Sequence, residues 1–165
     1  MNYLIYQMDV VVANPEANRL KIEKWMENEV SDTNIDTVIL PEMWNAGYAL
    51  DRLEELADQD GRDSLPFLRE LAMKFQVNII AGSIAIKKKG AIYNTSYIIN
   101  RHGDVVYVYD KIHLVPMLDE PKFLNGGEER GKIFELDGIK MGVIICYDLR
   151  FPELMRSLVL QGGRK

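Results

Sequence analysis

The sequence predicts a mixed α/β domain, α/β or α+β in class, with helices packed on one mixed sheet. Three observations carry this expectation. The first half alternates short apolar runs with helix-like segments in the order β-α-β-α. The second half carries strand pairs joined by hairpin signals. The length of 165 residues, 47% apolar and 27% charged, suffices for one packed core. Residues 1–165 therefore read as a single domain, with no repeat, linker or low-complexity stretch.

The elements follow in chain order. Residues 3–12 are apolar with β-branched members and predict a strand. Asn14-Pro15-Glu16 is a helix start: a capping side chain, a proline at the first helical position and an acid in the first turn. Leu20, Trp25 and Val30 fall roughly on one face of that helix. Residues 36–40, DTVIL, predict a short strand buried on both faces. A second helix is expected around 64–75, with Leu68, Leu71, Ala72 and Phe75 on one face.

Residues 77–86 predict one strand, and Lys87-Lys88-Lys89 before Gly90 a solvated turn. Residues 91–100 and 105–110 are strands joined by Arg101-His102-Gly103. Residues 132–136 and 139–146 are strands joined by Asp137-Gly138. The run from Lys140 to Cys146 is apolar on both faces, which implies cover on both. A last helix starts after Pro152 and runs to about Gln161, with Gly162-Gly163 at its end.

Composition excludes several classes. A net charge of −5, with both signs interspersed, argues against a nucleic-acid or anionic-membrane partner. One cysteine forms no internal disulfide, and a reducing, cytoplasmic setting is expected. The N-terminus is apolar but has no basic leader and is interrupted by Asp9, so it does not read as a signal peptide. No apolar run approaches a membrane span. Two histidines and one cysteine are a poor set for zinc.

Three segments carry chemistry. In VILPEMWNAGY, Glu42 follows a strand end, beside Met43, Trp44 and Tyr48. Such a carboxylate is either a surface group or a partly desolvated proton shuttle. In VYVYDKIHLVPMLDEPKF, Lys111 leaves a strand between apolar residues. It either reaches back to water or holds a developing oxyanion. His113 lies in an apolar context that suits a hydrogen-bonded structural histidine better than a general base. Cys146 ends an apolar run, and is either core filler or a nucleophile on a sharp strand-to-loop turn. In the second case the N–H of Tyr147 is placed to help bind an oxyanion, and a lysine beside the thiol lowers its pKa.

Taken together, LPEMW, YDKIHL and ICYDLRFPEL resemble, in order, the three signature regions of the nitrilase or carbon–nitrogen hydrolase superfamily. CYDLRFPEL resembles the amidase branches, ω-amidases among them, more than the true nitrilases. The resemblance implies a Glu42–Lys111–Cys146 catalytic triad and a second, positioning glutamate at Glu120. It implies hydrolysis of a small amide, an ω-amide of a dicarboxylic acid, through a cysteine thioester. No metal or organic cofactor is implied. The implied fold is the N-terminal portion of a four-layer α-β-β-α sandwich, and the intact family members are expected to be homodimers.

Family members continue with further strands and helices beyond the helix that follows the cysteine. The resemblance therefore implies a domain incomplete at its C-terminus, from a truncated gene or a frameshift. Such a chain, made alone, is expected to self-associate and to lack amidase activity. The alternative is a non-catalytic remnant that serves as partner or subunit of an intact homologue.

Overall fold

The structure, a computed structural model, describes residues 1–30 and 34–162. Its main sheet has seven strands. They are β1 (Tyr3–Ile5), β2 (Thr37–Ile39), β3 (Asp58–Gln59), β4 (Asn78–Ile80), β5 (Ile84–Lys88), β6 (Ala91–Ile99) and β7 (Val105–Asp110). β1, β2 and β4 are parallel neighbours, while β6 runs antiparallel to β4, β5 and β7. The mixed sheet is thus the expected one. A separate hairpin, β8 (Phe134–Leu136) and β9 (Ile139–Met141), turns at Asp137-Gly138 as anticipated.

Helix α1 (Pro15–Glu29) starts as the sequence dictates: Asn14 Oδ1 accepts from the Ala17 N–H at 3.0 Å, with Pro15 in the first turn. Its buried face is only in part the expected one, with Val30 buried and Trp25 partly so. Asn18, Ile22 and Met26 point inward, Leu20 is exposed, and Trp25 stacks on Tyr6 with ring centroids 4.1 Å apart. A polar residue leads the inner face because the Asn18 amide clamps the backbone N–H and C=O of Val11, both at 2.8 Å. That pairing satisfies both backbone groups of Val11, and residues 6–12 are not a strand.

A single turn, α2 (Leu53–Leu56), and β3 come next. Helix α3 (Ser64–Phe75) buries Leu68, Leu71 and Ala72, as its spacing predicts. Its first N–H groups are capped from outside the helix: Asp58 accepts from Asp63 at 3.1 Å and from Ser64 at 2.7 Å. α1 and α3 cover one face of the sheet, and Ile22, Met26, Leu68 and Leu71 form one core with Val38, Ile79, Ile84 and Ile99. On the other face Ile98 packs against Phe134 and Leu136 of the hairpin.

Two strands depart from expectation. Residues 77–86 form β4 and β5 rather than one strand, because register along β6 slips by one: Ile80 faces Ile98, but Ile84 faces Thr95. Gly82 sits in the break at φ +58°, where a Cβ would collide with the Leu40 and Pro41 carbonyls. The strand predicted for 139–146 stops at Met141, and residues 142–145 have no strand partner among the described residues.

The lysine run is not simply solvated. Lys88 forms a two-oxygen ion pair with Asp110 at 2.7 and 2.8 Å and lies over the Tyr93 ring. Lys87 pairs with Glu54, leaving Lys89-Gly90 as the turn.

Helix α4 (Pro152–Gly162) forms where expected, and Gly163 lies outside the described residues. Leu158 packs on the backbone at Gly131 and Gly142. Between α4 and the β8–β9 hairpin runs a groove of about 730 Å³, lined by Ile139, Met141, Ile144, Met155 and Val159 among others. No helix among the described residues is long and apolar enough to cross a membrane.

Candidate active site

Glu42 lies in the loop just after β2, beyond Leu40 and Pro41. That loop is bound to the β4–β5 break. Ser83 N–H donates to the Pro41 carbonyl at 3.1 Å, and Ser83 Oγ accepts from the Met43 N–H at 2.9 Å. Trp44 Nε1 donates to the Ala81 carbonyl at 3.0 Å, and the Asn45 amide pairs with both backbone groups of Ala85. The slip in register that splits the strand is thus what the Glu42 loop rests on.

Lys111 follows β7 directly. Its N–H donates to the Asn94 carbonyl at 2.9 Å, extending the ladder by one residue. The side chain is fully buried, so it does not reach back to water. Nζ donates to Glu42 Oε1 and to Glu120 Oε1, each at 3.0 Å. Glu120 is also fully buried, and its second oxygen accepts from the Val115 N–H at 2.8 Å. Burial pulls the Lys111 pKa down, but the two carboxylates outweigh it and hold the ammonium above its ordinary value.

Cys146 opens a 3₁₀ turn, Cys146–Arg150, instead of ending a strand. Its φ of +47° puts a non-glycine residue in the left-handed region, a strained elbow. Cys146 is exposed overall, and Glu42, Lys111 and Glu120 are the charged groups whose fields act on its thiol. The expected depression of the thiol pKa is not found. Partial burial of Sγ and the Glu42 charge push it above its ordinary 9.0, against the smaller opposing pull of Lys111. The lysine charge is already shared between two carboxylates, which leaves little for the sulfur.

Tyr147 is the second residue of the turn, half-buried, with its ring edge-on to Phe151 at 5.7 Å. His113 is structural, as its context implied. Its ring stacks on Phe151 at 3.4 Å, and its Nδ1 lies 2.9 Å from Asp148 Oδ1.

Glu42, Lys111, Glu120 and Cys146 therefore converge, although they come from three separate stretches of chain. Three further residues shape the site: Tyr48, marked in the sequence only as a neighbour of Glu42, and Asn94 and Asp148, not marked there at all. Asn94, fully buried in β6, donates its amide to Glu42 Oε1 at 2.9 Å. Tyr48 lies near Glu42, and burial first, then that carboxylate, raises its pKa. Asp148, fully buried, accepts from the Tyr109 hydroxyl, the His113 N–H and the Ile145 N–H. An asparagine in a strand and an aspartate in a turn have no local signal that separates them from ordinary polar residues.

Chemically, the arrangement offers a thiol, a carboxylate able to take its proton, and a fixed ammonium. No group of three or more histidine, cysteine or acidic side chains suited to a metal ion occurs among the described residues.

The family model described as "Carbon-nitrogen hydrolase" matches residues 5–164. "Hydrolase in agr operon" of Staphylococcus aureus is 42% identical over 99% of this chain and 63% of its own length. "2-oxoglutaramate amidase" of Bacillus subtilis is 42% identical over 95% of this chain and 60% of its own length. "Omega-amidase NIT3" of Saccharomyces cerevisiae is 35% identical over 92% of this chain and 55% of its own length. The crystal structure of Saccharomyces cerevisiae Nit3, "a member of branch 10 of the nitrilase superfamily", superposes with a TM-score of 0.81 and 30% identity. It covers 98% of this chain and 60% of that one. The chain thus spans about three fifths of the length of the relatives it matches.

Proposed function

The chain belongs to the carbon–nitrogen hydrolase family, and on that premise we propose that it carries the catalytic groups of an amidase acting on small ω-amides. The observation that carries this reading is the fully buried Lys111 ammonium held between Glu42 and Glu120, with the Cys146 thiol at the open end. Burying an ammonium and a carboxylate is costly, and a fold alone has cheaper ways to fill that space.

The reaction runs in two halves. Glu42 takes the thiol proton while Sγ bonds to the amide carbon, and the carbonyl π pair moves to oxygen. Lys111 and the Tyr147 N–H stabilise that oxyanion; the second N–H of a helical turn has no partner within the turn. The oxyanion re-forms the carbonyl, the C–N bond breaks, and the Glu42 proton leaves with the nitrogen as ammonia. Water then attacks the thioester, Glu42 accepts one of its protons, and the carboxylic acid departs. That proton returns to sulfur. The raised thiol pKa fits this order: the proton moves during attack, not before it.

The substrate class follows the relatives named 2-oxoglutaramate amidase and omega-amidase, and a reducing cytoplasm would keep Cys146 a thiol. The test is ammonia release from a panel of amides and nitriles. It uses the chain alone and the chain fused to the part of the Bacillus subtilis relative it does not match. The fused protein is expected to prefer dicarboxylic ω-amides. Faster hydrolysis of nitriles than of amides contradicts the reading.

A further inference from the structure

We propose that Asn94 is a positioning residue that fixes which oxygen of Glu42 acts as the base. Asn94 and Lys111 both donate to Oε1, at 2.9 and 3.0 Å. Two donors fill the lone pairs of that oxygen. Neither donor engages Oε2, which is the oxygen left to act as the base. The carboxylate cannot rotate to exchange the two without breaking both bonds.

Asn94 is well placed for this. It sits in the middle of β6, opposite Ala85 on one side, and its carbonyl accepts from the Lys111 N–H on the other. One residue thus sets the carboxylate through its side chain and the lysine through its backbone. The amide orientation is fixed by chemistry, since the reverse would face oxygen against a carboxylate. Its own Oδ1 has no hydrogen-bond partner among the described residues although it is buried. A buried amide that leaves an oxygen unpaired works against folding stability. The residue is therefore explained by what it does to Glu42, not by what it does for the strand.

This inference rests on the amidase reading only through the role of Glu42. Its test does not require turnover. Cys146 is the only cysteine, so alkylation by iodoacetamide reads this thiol alone. The charged groups that act on it are Glu42, Lys111 and Glu120, and Tyr48 is the titratable neighbour of Glu42.

The experiment is the pH profile of alkylation for wild type, Asn94→Ala and the near-isosteric Asn94→Leu, each alone and with Glu42→Gln. With an intact Glu42, losing the amide concentrates negative charge beside the sulfur. The midpoint should rise by about one pH unit, roughly tenfold slower alkylation at pH 8. The thermal midpoint of Asn94→Leu should not fall. With Glu42→Gln in place, the Asn94 substitutions should not move the profile.

An unchanged profile in both Asn94 variants, or an equal shift with and without Glu42, overturns the proposal. If Glu42→Gln by itself leaves the profile unmoved, the Glu42–Cys146 contact fails, and the amidase reading falls with it.

Discussion

The Tyr109 hydroxyl donates to Asp148 Oδ2 at 2.7 Å, and both residues are buried. This one bond ties the turn that presents Cys146 to β7, the strand that delivers Lys111. The same carboxylate accepts from the His113 and Ile145 N–H groups. The turn that opens at Cys146 and the strand that leads into Lys111 are thus tied together through Asp148.

Tyr109→Phe should cost about 2 kcal/mol, the worth of a hydrogen bond to a charged acceptor. Asp148→Ala should cost more, because it strands several buried donors. Urea unfolding measures both, and an Asp148→Ala chain as stable as wild type would show that the network is ornamental.

Lys111→Met should destabilise by about 3–5 kcal/mol, since it leaves Glu42 and buried Glu120 facing each other without their cation. The double change Lys111→Met with Glu120→Leu should recover part of that loss. Failure of the second change to restore any stability would mean the glutamate is not what Lys111 balances.

Cys146 should alkylate more slowly at pH 7 than a small model thiol, and Glu42→Gln should speed it up. The sign follows from the raised pKa: the neutral thiol is favoured in the folded chain. Its contribution to stability is complete below pH 9.0 and is lost as pH rises through the higher folded value. Rapid alkylation at pH 7 would contradict this environment.

At the acid end, Arg101 and then Asn78 hold the Asp137 carboxyl below its ordinary 3.8, against partial burial. A depressed carboxyl contributes stability above pH 3.8 that is lost as pH falls through its folded value. Arg101→Met should therefore cost under about 1 kcal/mol at pH 7, the pair being partly exposed, and less still at pH 2. A penalty that grows towards pH 2 would reverse the sign.

What the sequence shows of this molecule is what local chemistry specifies. Asn14-Pro15 marks a helix start, Arg101-His102-Gly103 and Asp137-Gly138 mark hairpins, and Glu42 and Lys111 stand at strand ends. Contacts between distant residues are not legible in the same way. Asn94 meets Glu42 from 52 residues away, and Tyr109 meets Asp148 across 39. The inner face of α1 is only partly legible because its leading residue, Asn18, is polar, and periodicity counts only apolar positions. The direction of the thiol pKa is not legible either: Lys111 alone suggests depression, and only the geometry shows the two carboxylates that occupy it.

The central claim is that Cys146 bonds to the acyl carbon with Glu42 as its base. Its most direct test is intact mass spectrometry of the fused protein, acid-quenched within a turnover of an ω-amide. The expected result is one acyl group on Cys146, absent in Cys146→Ala and much reduced in Glu42→Gln. Ammonia release that persists in Cys146→Ala, with no acyl group on the wild-type protein, would contradict it.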